Sequence, residues 1–338
     1  MKKFKVSGSC DQFQLDAAGT HALLANRDRA AVFRAISSRP LIKVRFKWKV
    51  VSIDFHPSRS LFLVAAGHTV QVFGFDNKKP AAVLQIIGQV KAAIFGPSGK
   101  TVVVSVGDEL QFWDWEANKN TAKARIGPGS NRLARARTGD LVGAVPLGNA
   151  EVYRENGVRV SQFGGHYSYY DGGSEIVTEY VGDQPYIKSR SNIKSTNATS
   201  IAFSDDGIFA VSSGSDGTTR VWKTASGAGK WSEKGDAMLD AVGAGFVAVK
   251  NFGHLRIFSL GRELSRHVHN EKTGWGWVCV SDDAHLGLAS DRKKVEVWDL
   301  ATSTVIRKFS LKDVRFGAIR GAVVWMLTYN ALVAVQVR

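Results

Sequence analysis

The chain has 338 residues, 44% hydrophobic and 22% charged, the proportions of a soluble globular protein able to bury a large core. Its formal net charge of +15 points to acidic partners: nucleic acid, an acidic protein surface or anionic lipid. Its two cysteines, Cys10 and Cys279, exclude a disulfide framework and favour a reducing, cytoplasmic setting.

In chain order, the N-terminal dozen residues are basic but lack the apolar core of a secretory signal. Residues 1–50 hold eleven Lys or Arg against three Asp, a net +8, and the rest of the chain shares +7. Residues 3–8 read as a strand. A pattern then recurs, a short β-rich run ending in a large aromatic. Ala31-Val32-Phe33, Gln71-Val72-Phe73, Gln111-Phe112-Trp113 and Glu151-Val152-Tyr153 carry it at an even spacing. Arg220-Val221-Trp222, Arg256-Ile257-Phe258 and Glu296-Val297-Trp298 continue it at nearly the same spacing. The wider gap between Tyr153 and Trp222 leaves room for one more unit, with Tyr186-Ile187-Lys188 near its midpoint. The run 332–337 stands one period after Trp298.

Within each period the grammar repeats. An alternating strand leads to a turn, such as His56-Pro57-Ser58, Gly96-Pro97-Ser98-Gly99, Ser204-Asp205-Asp206-Gly207 or Ser281-Asp282-Asp283-Ala284. A second strand follows, as at 61–66, 101–106 and 208–213. A hairpin turn, Gly107-Asp108 or Asp216-Gly217, leads into the aromatic strand, and a more polar fourth strand closes the unit. Four strands in a period of roughly 40 residues are the signature of a β-propeller blade. The aromatic strands mark nine blades, with eight as the alternative if the unit at 165–195 is not one. The last unit has three strands, and the N-terminal strand is expected to complete it. The whole chain, 1–338, then reads as a single all-β domain. The apolar stretch 322–337 is broken by Thr328, Tyr329 and Asn330 and falls short of the roughly 20 residues of a membrane helix. It reads as two strands joined by a tight turn, and no membrane insertion is expected.

Trp113-Asp114, Trp298-Asp299 and the stretch from Ser212 through Asp216-Gly217 to Trp222 resemble the WD40-repeat family. Residues 288–309 are similarly close. The resemblance spans the chain, strongest at 200–224 and 278–309 and weakest at 128–195. It implies a tetrad in which a hairpin Asp pairs with the Trp and with an upstream Gly-His. Asp216 and Asp291 stand at the Asp position, and Gly165-His166 is the Gly-His pair well placed before a blade. The resemblance also implies a non-catalytic scaffold that binds other protein subunits on the face formed by the loops before the inner strands.

Two clusters are candidate partner-binding sites. In residues 40–49, Ile42, Val44, Phe46 and Trp48 face one way and Lys43, Arg45, Lys47 and Lys49 the other, because side chains alternate along a strand. This is the outer strand of the first blade, where lysines also block edge-to-edge pairing. The neighbouring outer strands bring Lys2, Lys3 and Lys5, then Arg307 and Lys308, with Lys312 just beyond. The three together make a basic seam suited to an acidic protein, or alternatively to the phosphate backbone of RNA or DNA. The second cluster lies at the channel mouth: Arg132, Arg135, His166, Tyr167, Tyr170 and Trp275, residue types that dominate interaction hot spots. The alternate aromatics Tyr169 and Trp277 are expected to pack between blades.

His267-Val268-His269 lacks the accompanying Cys or carboxylates of a metal site, and Asn197-Ala198-Thr199 is read as a chance sequon. No phosphate loop, dinucleotide fingerprint, nucleophile elbow or zinc motif occurs. The paired carboxylates Asp205-Asp206 and Asp282-Asp283 sit where turns favour Asp. The expectation is therefore no catalytic residue, no cofactor, no metal and no small-molecule substrate. The chain reads as an interaction scaffold within a larger complex. The alternative is a basic propeller that binds nucleic acid in a ribonucleoprotein or DNA-processing assembly.

Overall fold

Runs such as Leu61–Ala66 and Thr101–Val106 are apolar at nearly every position, so they need cover on both faces rather than one. The computed structural model describes residues 2–5, 10–35, 37, 39–126, 132–146, 150–163, 167–171, 174–181, 184–190, 198–214, 217–238, 245–251, 254–260, 265–269, 277–281, 285–290, 294–311, 314–320, 323–328 and 331–337. The regular elements among them are all strands, thirty-five in nine antiparallel sheets.

The chain enters as β1 (Lys2–Lys5). Sheet 1 is β2 (Gln12–Leu15), β3 (His21–Asn26), β4 (Arg29–Arg34) and β5 (Pro40–Arg45). Sheet 2 is β6 (Val50–Phe55), β7 (Leu61–Ala66), β8 (Thr69–Gly74) and β9 (Ala82–Gln85). Sheet 3 is β10 (Val90–Phe95), β11 (Thr101–Val106), β12 (Glu109–Asp114) and β13 (Lys119–Arg125). Sheet 4 is β14 (Leu133–Arg135), β15 (Leu141–Ala144), β16 (Ala150–Arg154) and β17 (Arg159–Phe163). Sheet 5 has three strands, β18 (Tyr167–Asp171), β19 (Ser174–Val181) and β20 (Gln184–Arg190). Sheet 6 is β21 (Ala198–Phe203), β22 (Phe209–Gly214), β23 (Thr218–Lys223) and β24 (Gly229–Lys234). Sheet 7 is β25 (Asp236–Met238), β26 (Phe246–Asn251), β27 (His254–Ser259) and β28 (Ser265–His269). Sheet 8 is β29 (Trp277–Val280), β30 (Leu286–Ser290), β31 (Val295–Asp299) and β32 (Thr304–Phe309). Sheet 9 orders β33 (Val314–Arg320), β34 (Val323–Thr328) and β35 (Ala331–Gln336) with β1 at its edge. The pairing of β1 with β35, Lys2 opposite Ala334 and Lys5 opposite Ala331, is the expected completion of the last unit. The apolar stretch 322–337 supplies β34 and β35, as read from its turn. Among the described residues no helix is long and apolar enough to cross a membrane.

Each four-stranded sheet shares one apolar cluster with a sheet on either side. Ile42 of sheet 1 and Phe46 just after it pack with Phe55, Phe62 and Phe73 of sheet 2. Leu84 joins sheet 2 to Phe95 and Trp115 of sheet 3, and Phe112 joins sheet 3 to Tyr153 of sheet 4. Sheet 4 then packs directly on sheet 6, with Phe163 stacked on Trp222 at 5.4 Å and 8°. Val221 and Val249 link sheets 6 and 7. Ile257 and Leu300 link sheets 7 and 8, and Leu288 and Met326 link sheets 8 and 9. Trp325 and Leu332 of sheet 9 meet Leu24 and Phe33 of sheet 1. The aromatic repeat falls on the third strand of every sheet it marks, including Tyr186 on β20. Sheet 5, however, does not lie between its neighbours in sequence, because those two touch each other.

Trp325, fully buried, also donates its indole N–H to the carbonyl of Gly19 at 2.8 Å. Gly19 has φ +68°, and a Cβ there would fall 2.2 Å from Cβ of Arg320, so only glycine fits this approach of the two end sheets. In the same turn, Asp16 accepts from the backbone N–H of His21 at 3.0 Å, from Thr20 Oγ1 at 2.9 Å and from His21 Nδ1 at 2.8 Å. Burial works to raise this carboxyl, but the bonds outweigh it and hold it below its usual range.

Trp325→Ala should lower unfolding free energy by about 3–5 kcal/mol, read by urea denaturation. A Trp325→Phe change, which keeps most of the ring and loses the bond to Gly19, should cost less. For Asp16, a folded pKa below the unfolded one means the stabilisation is present above about pH 4 and is lost as pH falls through the folded value. The urea midpoint of the native chain should therefore drop more steeply in acid than that of Asp16→Asn.

Candidate interaction site

The basic seam begins on β5. Ile42 and Phe46 are buried against sheet 2, with Val44 packed beside them. Alternation therefore turns Lys43 and Arg45 to the opposite face, toward sheet 9. There they line a cleft of about 310 Å³ floored by Cys10, Leu24, Ala31 and Phe33. Burial pushes the Cys10 thiol up to about 11, which keeps it protonated and unreactive at neutral pH. Both cysteines are free and buried.

The strand ends at Arg45, one respect in which the alternating reading fails. Residues 46–49 form the connection to β6, where Phe46 is buried while Lys47, Trp48 and Lys49 are all exposed. Trp48 thus leaves the core face that alternation assigned to it. The connection is shaped by the β3–β4 turn, where the carbonyl of Asp28 accepts from Phe46 N–H at 2.7 Å.

The seam cations differ in what they already hold. Arg45 Nε donates to Asp28 at 2.7 Å, and this bond holds the Asp28 carboxyl below its usual range. Arg307 donates to the carbonyl of Gln336 at 2.9 Å and lies over Phe309, so it ties β32 to β35. Lys308 Nζ is 3.3 Å from Glu296. Lys43, Lys47 and Lys49 make no ion pair among the described residues. The side chains of Lys2, Lys3 and Lys5, and all of Lys312, lie outside the described residues. The backbone of β1 nevertheless sits at the outer edge of sheet 9, which packs between sheets 8 and 1. The three basic outer strands are therefore consecutive, and among the described residues the seam lysines outside any ion pair are on and just after β5.

The channel-mouth residues are not brought together in the way expected. Arg132 is exposed. Arg135 is an internal tie instead of an exposed contact. Its guanidinium meets the carboxylate of Asp54 and donates to the carbonyls of Phe95 at 3.2 Å and Phe55 at 2.9 Å. Asp54, 1% exposed, also accepts from Gln14 Nε2 at 2.7 Å and Phe95 N–H at 2.8 Å. Burial pushes the Asp54 carboxyl up, against the pull of Arg135 and these bonds. The network joins the first strands of four successive sheets around a cavity of about 420 Å³, which Gln14, Asp54, His56, Arg137 and Asp205 also line. Tyr167 and Tyr170 lie on β18, opposite Thr178 and Glu175, in the sheet that stands apart. His166 and Trp275 lie outside the described residues, as do Gly165, Asp216, Asp291 and the sequon residue Asn197. The side chains of Tyr169, Trp277, His267 and His269 are likewise not described.

Other sequence features resolve into structure. Trp222 donates to Ser212 Oγ at 2.8 Å within the core, while the Asp216 of the implied tetrad lies outside the described residues. Asp206 accepts from Ser204 Oγ at 2.6 Å and Ile208 N–H at 3.0 Å, closing its turn. Asp205 pairs with Arg137 at 3.1 Å. His56 accepts at Nδ1 from the N–H groups of Ser58 and Arg59, and its Nε2 lies 3.1 Å from the carbonyl of Gly99. The neutral Nε2–H tautomer satisfies all three, and burial together with the Arg59 charge holds His56 below its usual pKa. The sequence reads His56 only as part of a turn and does not single out Asp54. Their signal is a polar residue at an otherwise apolar position at the end of a first strand.

Residues 189–223 match the family described as WD domain, G-beta repeat. The chain is also 25% identical over 252 residues to apoptotic protease-activating factor 1 of Danio rerio, a match covering 67% of this chain and 19% of that protein. The match thus spans about a fifth of that relative's length.

Arg135→Ala would leave Asp54 buried without its countercharge and should destabilise the chain by about 3–5 kcal/mol in urea unfolding. Asp54→Asn in the same background should recover part of the loss. Additive losses in this double-mutant cycle would mean the two residues are not coupled.

Proposed function

Because the chain belongs to the WD40-repeat family, we propose that it is a non-catalytic scaffold that holds other protein subunits in a larger complex through its basic seam. In this reading the eight four-stranded sheets close into one propeller, a single domain over residues 1–338. Support comes from the apolar clusters, which run from sheet to sheet and return from sheet 9 to sheet 1. The direct packing of sheet 4 on sheet 6 favours eight blades over nine, with sheet 5 as an insertion between two of them. Free cysteines suit a reducing, cytoplasmic location.

One observation carries the functional reading. Among the described residues, Lys43, Lys47 and Lys49 are exposed and outside any ion pair, while Asp28 in the β3–β4 turn of the same sheet is already engaged by Arg45. Charge left over on a rigid edge steers and orients an acidic partner. The same surplus favours the second reading, in which the seam tracks a phosphate backbone.

Binding to poly-glutamate and to a DNA duplex should be titrated against salt. The scaffold reading expects poly-glutamate binding that weakens at least about tenfold in a Lys43→Glu, Lys47→Glu, Lys49→Glu triple variant. Binding to the duplex alone, with a salt slope that falls by about 0.9 for each phosphate the variant no longer neutralises, would favour the nucleic-acid reading. If neither polymer binds at low salt, the seam is not the site.

A further inference from the structure

The β5–β6 connection carries a large side chain that the fold leaves half in water. Trp48 is 50% exposed, although indole gains much from burial. It is nevertheless held in place. The ring lies on Gly67 in the β7–β8 turn, where a Cβ would fall 2.6 Å from its Cγ and Cδ1. The φ of Gly67 is +59°, so conformation and close approach both require glycine. His68 meets the indole edge-on, with ring centroids 6.4 Å apart. Its Nδ1 is 2.7 Å from the carbonyl of Gly88. Beside Gly88, in the β9–β10 connection, stands Ile87, 94% exposed. Two apolar side chains from successive connections are thus set in one neighbourhood, with an imidazole bridging their supports.

The surroundings are basic. Lys47 Nζ is 5.3 Å from the Trp48 ring centroid, and Lys49 is exposed next to it in the chain. Carboxylates of the neighbouring turns have partners of their own: Asp28 with Arg45 at 2.7 Å, Asp108 with Arg125 at 3.4 Å and Glu109 with Lys123 at 3.4 Å. An apolar centre with a charged rim is the anatomy of a protein hot spot. Single-strand nucleic-acid platforms instead present successive aromatics for base stacking. Among the described residues Trp48 is the one aromatic in the exposed apolar set, and its companion Ile87 is aliphatic.

We propose that Trp48, His68 and Ile87 form the apolar anchor of a docking site for an acidic segment of a partner protein. One apolar side chain of the partner sits on the indole and Ile87, and flanking carboxylates meet Lys47 and Lys49. The proposal deepens the scaffold reading and rests on it for the class of partner.

The test is selection of randomised peptides, displayed on phage, on the full chain and in parallel on Trp48→Ala. Ile87 is 94% exposed, so Ile87→Ser should leave the thermal midpoint unchanged and keeps the test readable, whereas Trp48→Ala gives up the half of the indole packed on Gly67 and His68 and should lower the midpoint modestly. The expected result is enrichment of peptides with one Phe, Trp or Leu flanked by Asp or Glu. Synthetic labelled versions should bind at least about tenfold more weakly when that apolar residue is changed to Ala, and likewise when the protein carries Trp48→Ala or Ile87→Ser. Lys47→Glu with Lys49→Glu should weaken the same peptides. Enriched peptides that bind Trp48→Ala and Ile87→Ser as they bind the native chain would overturn the anchor while leaving the acidic-partner reading standing. No enrichment over Trp48→Ala would also overturn it. An oligo-dT strand bound more tightly than every peptide, and lost in Trp48→Ala, would overturn both readings in favour of nucleic acid.

Discussion

The structure depends on a requirement that no sheet can meet alone: both faces of each four-stranded sheet are apolar and must be covered. Leu63 and Val64 are neighbours on one strand, both fully buried, yet they belong to different clusters, one shared with sheet 3 and one with sheet 1. The pleat sends successive side chains to opposite sides, so a continuous apolar run binds two partners at once. Sheets 1 and 9 would each be left with a bare face if the chain formed an open stack. Their shared cluster, with Trp325 at its centre, satisfies both. Polar links reinforce the same succession at the turns after the first strands. His56 meets the turn of sheet 3 at Gly99, Glu155 of sheet 4 accepts from Ser98, and Arg137 of sheet 4 meets Asp205 of sheet 6.

Much of this was legible because it is local. The aromatic repeat marks the third strand of every sheet but sheet 9, whose β35 carries aliphatic residues there instead. The turn signals at Ser204-Asp205-Asp206-Gly207 and Gly96-Pro97-Ser98-Gly99 fall where the hairpins turn, because their chemistry acts within a single turn of chain. The pairing of the first strand with the last was legible too, from the missing fourth strand of the final unit. The placement of sheet 5 was not. Its spacing and its aromatic strand mimic a blade, and only the packing of Phe163 on Trp222 reveals that its neighbours meet without it.

The proposed interaction surface divides the same way. Lys43 and Arg45 keep the face that alternation gives them, because β5 is regular there. One residue later the chain turns toward sheet 2, the period of two no longer applies, and Trp48 emerges on the surface. Arg135 misleads for the opposite reason. Its partner Asp54 lies two sheets earlier in the chain, and nothing local distinguishes an arginine reaching inward from one reaching out. Charge content alone therefore overstates the seam. Arg45, Arg307 and Lys308 are spent on internal ties, while among the described residues Lys43 on β5 and Lys47 and Lys49 beside Trp48 stand outside any ion pair.

The pairing of β1 with β35 also sets a schedule. During synthesis, at roughly 5–20 residues per second, the first strand waits tens of seconds for the last to emerge. Throughout that interval the face of sheet 1 that will meet sheet 9, with Leu24 and Phe33 on it, has no cover. Lys43 and Arg45 project from that same face. Like charges there repel a second nascent chain approaching the uncovered surface, as gatekeeper residues do beside exposed strands. The cations that line a cleft in the finished molecule thus also guard the unfinished one.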